Sequence, residues 1–171
     1  KMFYAYLKTF QRLGLKSIPM KAETGPIGGN LSHEFIILAD TGESKIFADK
    51  KIFDIKVEEY KNNESSLKKM RENFSKYYAV TDDKFKKDEF DKNVKKSDQL
   101  QTKGIEVGHI FYFSDKYSKP MNCSGDNKDG KKTFVKMGSY GIGVSRLVGA
   151  IIEAKYNNEK MKWPISVSPF D

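Results

Sequence analysis

The sequence predicts an α+β domain, with helices packed on a sheet, and three observations carry that prediction. Residues 2–13 place Phe3, Tyr6, Leu7, Phe10 and Leu13 at helical spacing. Residues 32–39 and 104–113 are rich in β-branched and aromatic residues and are bounded by turn signals. Residues 137–152 pass from a glycine-rich strand or turn into an apolar helical pattern. With 171 residues, 38% of them hydrophobic and 13% aromatic, the chain has material for one real core but not for two large domains.

In chain order, the first helix should stop at Gly14 and be followed by a short extended segment, Ile18-Pro-Met20. Glu23-Thr-Gly-Pro-Ile-Gly-Gly-Asn30 reads as a turn-rich loop, and Ser32–Ala39 as a strand. Asp40-Thr-Gly-Glu43 should turn the chain so that Lys45–Ala48 returns as the hairpin partner of that strand. Composition changes near Asp49: residues 49–97 are dominated by Lys, Asp, Glu and Asn and hold no glycine. Leu67, Met70, Phe74 and Tyr77 nevertheless keep helical spacing, with Ser65 or Ser66 as cap, and Thr81-Asp-Asp83 can open a second short helix with Phe85 inward. The expected organisation is therefore 1–48, a short lysine-rich helical insertion at 49–97, and 98–171. Within the last part, 104–113 is the best strand pattern, Asp126–Gly130 a turn, Thr133–Met137 a strand, and 144–156 a helix.

The net charge of +8 permits a polyanionic partner without requiring one. Arginine is present only at 12, 71 and 146, and the lysines are dispersed, unlike the arginine-led contacts of specific nucleic-acid readers. No apolar run is long enough to cross a membrane, and the first residues lack a cleavable secretory pattern. The single cysteine, Cys123, excludes an internal disulfide and a cysteine-built zinc site and fits a reducing compartment, so a cytoplasmic location is expected.

Gly141-x-Gly143-x-x-Arg146 is the chemical centre of the chain. Alternate glycines let a flat ligand lie against the backbone, and an arginine at a helix opening adds a guanidinium fork suited to phosphate. Both histidines fall in strands: His33 in Ser32-His-Glu-Phe35 and His109 in Val107-Gly-His-Ile110. Strict alternation puts Glu106 and His109 on opposite faces. A bulge at Gly108 would bring Glu106, His109 and Phe111 together, a set suited to a small cationic amine and an adenine. Gly125-x-x-x-x-Gly130-Lys131-Lys132 nearly spells a phosphate-binding loop, but it lacks the hydroxyl at 132 and a following helix; a hairpin turn is expected instead. Cys123 has no base nearby in sequence, so covalent catalysis is not expected, and no metal-ligand set is assigned.

Three stretches together resemble bacterial-type prolyl-tRNA synthetase: Glu23–Phe35, Lys103–Phe111 with Lys116-Tyr-Ser118, and Met137–Arg146. Trp163-Pro-x-x-Val-x-Pro-Phe170 looks like that family's exit from its catalytic domain. The resemblance spans everything but the lysine-rich insertion. It implies a class II synthetase-type antiparallel sheet flanked by helices, with ATP, Mg²⁺, L-proline and tRNA(Pro) as ligands and a homodimeric parent without membrane association. By the same resemblance Arg146 is the catalytic candidate, on the ATP γ-phosphate. Glu106, Gly141 and Gly143 join Arg146 in binding ATP, and His109, Phe111 and Ser139 line the proline pocket. Gly28, Gly29, His33 and Glu34 stand in the neighbouring wall.

Two of the family's segments, motif 1 of the dimer interface and motif 2 with its α-phosphate arginine, have no counterpart here. The isolated chain is therefore expected to be inactive. Residues 49–97 occupy the place of the family's large editing domain and are too short to fold into one, which implies a parent without alanine editing in cis. Ser139 stands where many relatives carry cysteine. The alternative reading is a catalytically silent synthetase-like paralogue that binds a nucleotide or a protein.

Overall fold

The computed structural model describes residues 1–29, 31–57, 59, 63–157, 160–168 and 170. Asn30, within the predicted glycine loop, lies outside the described residues. Helix α1 (Met2–Arg12) buries Phe3, Tyr6, Leu7 and Phe10, four of the five residues its periodicity singled out; Leu13 caps its end half-buried, and Gly14 follows in a left-handed conformation. Strands β1 (Ile18–Lys21), β2 (Leu31–Leu38) and β3 (Ser44–Asp49) come next.

Helix α2 (Glu64–Ser75) is capped by Asn63, not by a serine: the Asn63 Oδ1 accepts from the Ser66 N–H at 2.9 Å. Beyond it lie β4 (Ala79–Thr81), α3 (Lys87–Asn93) and the sixteen-residue β5 (Gln99–Ser114). The hairpin β6 (Ser124–Asp126) and β7 (Lys132–Phe134) encloses the predicted turn, and β8 (Met137–Ile142) leads into α4 (Val144–Lys155).

The main sheet runs β2-β1-β4-β3-β5-β8, with a further β2–β5 pairing that closes the first five strands into a circuit. All its pairings are antiparallel except β1–β4. The predicted β2–β3 hairpin does not form. Both strands instead run antiparallel to β5, β2 along 104–112 and β3 along 99–104. β5 is long enough to partner both, and the turn between them sends the chain onward: the Ala39 N–H donates to the Lys103 carbonyl, and Gly42 packs over the Gly104 carbonyl, where a Cβ would collide.

Residues 49–97 are not purely helical. They supply β4, which sits inside the sheet, and Ile52, Met70, Phe74 and Ala79 to the main core. Phe47, Val80, Phe90 and Val94 form a smaller second core, with Phe85 stacked on Phe47 at 3.6 Å between ring centroids. The main core centres on Phe35, fully buried against Phe3, Tyr6 and Phe10 of α1. Gly108 of β5 lies under the same helix, and a Cβ there would stand 2.9 Å from the Tyr6 ring. α1 thus covers one face of the sheet and leaves the other to the site.

Candidate active site

Residues directly opposite in antiparallel strands point to the same face. Ser32 faces Phe111, which faces Ser139; Glu34 faces His109, which faces Gly141. The ladder alone therefore gathers these six on one side. Glu106 joins them through an irregularity. Phe35 pairs with Gly108 but Ile36 pairs with Glu106, so Val107 is an extra residue in β5. The bulge expected at Gly108 lies one residue earlier. Its residue is fully buried, and its carbonyl accepts from the Gly143 N–H at 3.1 Å, which ties the start of α4 to the distorted strand.

The result is a compact cluster. His109 Nδ1 lies 3.2 Å from the Glu106 carboxylate and 4.0 Å from that of Glu34. The imidazole stacks on Phe111 with centroids 3.9 Å apart, and its Nε2 is hydrogen-bonded to the Ser32 hydroxyl. Arg146, in the first turn of α4, donates to the Glu106 carbonyl at 2.9 Å and lies 3.4 Å from its carboxylate and 3.6 Å from that of Glu43. The guanidinium remains half-exposed beside the amides of a helix N-terminus.

The electrostatics separate the two carboxylates. The hydrogen bond from His109 holds Glu106 below the ordinary carboxylate range against the cost of its burial, and the Arg146 charge adds to the effect. Burial, followed by the like charge of Glu106, pushes Glu34 up to about 7. Ligand-type atoms of Glu34, Glu106 and His109 all lie within 4.8 Å of one another. Such a set suits a small ammonium group, and its donors would also accept a metal ion, which the sequence reading had not assigned. Gly141 is open above: a Cβ there would meet nothing within 4 Å, so this stretch of backbone is bare toward the face that His109 shares.

Not every predicted residue joins the cluster. His33 pairs with Ile110 and points to the opposite face, where its ring meets the Phe3 ring edge-on at 5.3 Å. Burial pushes it down to about 4, and its Nδ1 has no hydrogen-bond partner among the described residues. Gly28 and Gly29, expected in the neighbouring wall, lie against Tyr112, Phe113 and Lys116, at and just past the end of the cluster's strand β5, in left-handed conformations at φ of 67° and 123°. The Ile27 carbonyl before them accepts from both Lys116 Nζ, at 2.7 Å, and the Tyr117 hydroxyl. A Cβ on Gly28 would collide with the Lys116 ammonium, and one on Gly29 would lie 2.8 Å from the Tyr112 carbonyl. The sequence reading missed this clamp, the Ser32–His109 bond and the proximity of Glu43. The Lys116-Tyr-Ser118 stretch was the available signal for the clamp.

An antiparallel-dominated sheet flanked by helices, carrying an arginine at the opening of the helix after its last strand, defines a class of protein. The family model "tRNA synthetase class II core domain (G, H, P, S and T)" matches residues 1–155. The chain belongs to that family. Among curated proteins it is similar to the proline–tRNA ligase of Pelagibacter ubique (strain HTCC1062), 64% identical over 173 residues. It is likewise similar to the proline–tRNA ligases of Rhizobium etli, 54% over 174 residues, and Rhodospirillum rubrum, 52% over 171 residues. Each match covers 100% of this chain and 39% of the relative, so the chain spans about two fifths of the length of the curated relatives it matches.

Proposed function

We propose that the parent of this chain is a proline–tRNA ligase that activates L-proline with ATP to prolyl-adenylate and transfers the prolyl group to tRNA(Pro). One observation carries this reading: the trio Glu34, Glu106 and His109 meets Arg146 on one sheet face, an amine-binding set beside a phosphate-binding group. Bound with Mg²⁺, ATP supplies the phosphoanhydride that the amino-acid carboxylate opens at the α-phosphorus. The chain's own residues do the holding. Arg146 meets the γ-phosphate, while Gly141 and Gly143 let the nucleotide approach the backbone. Phe111, His109 and Ser139 border the proline ring, and Glu34 with Glu106 offers the secondary ammonium a negative field. A bound ammonium draws Glu34 to its carboxylate form, since opposite charge offsets the burial that now raises it. Catalysis of this kind rests on orientation and charge, with no protein nucleophile. The parent is a cytoplasmic homodimer in this reading, and no described helix is long and apolar enough to cross a membrane.

The test is amino-acid-dependent ATP–pyrophosphate exchange by the full-length parent with proline, alanine and threonine. Exchange with proline is expected, falling roughly 100-fold or more in Arg146→Ala. Silence with all three amino acids would return the chain to the silent synthetase-like paralogue.

A further inference from the structure

Ser32 lies in β2 with 4% of its surface exposed, opposite Phe111 in the ladder. Among the described residues its hydroxyl has one side-chain partner, Nε2 of His109. That bond completes the restraint of the imidazole. Nδ1 faces the Glu106 carboxylate at 3.2 Å, one ring face stacks on Phe111, and Nε2 meets Ser32.

The donor and acceptor chemistry then selects a tautomer. An ionised carboxylate can only accept, so the hydrogen that satisfies Glu106 sits on Nδ1. A buried hydroxyl hydrogen needs an acceptor, and Nε2 of that tautomer is one. Flipping the ring would break both bonds at once. Glu106, pinned in this way, in turn holds Arg146 through its carbonyl and its carboxylate. A single run of contacts therefore passes from Ser32 in β2, through His109 and Glu106 in β5, to Arg146 at the opening of α4.

We infer that Ser32 is a positioning residue: by fixing the tautomer and orientation of His109 it sets the amine-binding end of the site against the phosphate-binding arginine. This rests on the proposed proline activation and adds to it a group that acts on proline only through His109. A hydroxyl that merely filled core would affect folding and nothing else; a hydroxyl that positions His109 affects proline far more than ATP.

The experiment is pyrophosphate exchange by the full-length parent, with KM for proline and for ATP measured in wild type, Ser32→Ala, Ser32→Thr, His109→Gln and the double variant Ser32→Ala/His109→Gln. Ser32→Ala is expected to lower kcat/KM for proline roughly 10- to 100-fold, mainly through the proline KM, and to leave the ATP KM within about twofold. Ser32→Thr, which keeps the hydroxyl, should restore most of the loss. In the His109→Gln background, Ser32→Ala should add less than about twofold, because the group it acts through is already gone.

Full additivity of the two substitutions overturns the inference, as does wild-type behaviour of Ser32→Ala. Equal damage by alanine and threonine, with the melting temperature and the ATP KM moving together, overturns it as well. If Ser32→Ala does not fold, the comparison of Ser32→Thr with Ser32→Cys, similar in size but a weak hydrogen-bond donor, decides: cysteine performing as well as threonine overturns it. A wild-type parent that fails to exchange with proline refutes the proposed function instead, so the two failures are distinguishable.

Discussion

Two glycines three residues apart in β8 do different work. A Cβ on Gly138 would lie 2.5 Å from the Tyr140 hydroxyl and 2.6 Å from the Phe111 backbone carbonyl, whereas one on Gly141 would meet open space. Gly138→Ala is therefore an overpacking substitution, expected to cost about 1–3 kcal/mol of stability by chemical denaturation. Gly141→Ala removes only backbone freedom from the unfolded chain, so its stability should be unchanged or slightly higher. If the bare backbone at 141 exists for a nucleotide, Gly141→Ala in the parent should raise the ATP KM about tenfold or more. A normal ATP KM would mean that the nucleotide does not lie against the backbone at 141. Both glycines were visible in the motif, but their difference was not, because it depends on the Phe111 carbonyl across the ladder and on how the Tyr140 side chain of β8 itself folds back.

Among the elements, the loop 25–29 is held by a partner nearly ninety residues away in the chain. Lys116 and Tyr117 both donate to the Ile27 carbonyl, and this tie holds the glycine loop against the segment that follows β5. Lys116→Met with Tyr117→Phe removes both donors while keeping much of the apolar bulk. Each bond of this type is worth about 1 kcal/mol, so amide exchange at 25–29 should quicken roughly tenfold or more while α1 and β2 stay protected. Unchanged exchange in the loop would show that its own turn geometry suffices. β5 is the other decisive element. Its length allows it to partner β2, β3 and β8, and the extra residue Val107 turns Glu106 toward His109.

At the scale of the whole molecule, Glu34 and His33 are chain neighbours on opposite faces that pull stability in opposite directions with pH. Folded Glu34 keeps its proton up to about 7, whereas the unfolded group releases it near 4.5. Between those values the folded state binds more protons, so stability falls as pH rises. Folded His33 stays neutral down to about 4, whereas the unfolded group is protonated from about 6.5. There the unfolded state binds more protons, so stability rises with pH. Each slope integrates to something on the order of 1–2 kcal/mol once screening by the remaining water is allowed for. The two largely cancel between pH 4.5 and 6.5. Urea unfolding should accordingly show a nearly flat profile for the wild-type chain, a rising one for Glu34→Gln and a falling one for His33→Phe. Parallel profiles in all three would mean that neither group titrates as its surroundings dictate.

By itself the sequence determined the elements whose signal is local: the amphipathic helix α1, the strands β2 and β5, the glycine-to-helix passage with Arg146, and the need for an irregularity near Gly108 if Glu106 and His109 were to meet. Motif order was enough to point to the family. The tertiary structure alone decided what depends on pairing between distant segments: β3 running along β5 and not back along β2, β4 entering the sheet from a stretch that reads as helical, His33 turned away from the site, and Ser32 bonded to His109. Periodicity reports which side of its own element a residue faces. Partners are set by which strands lie alongside, and by a single extra residue in a ladder that shifts every contact beyond it.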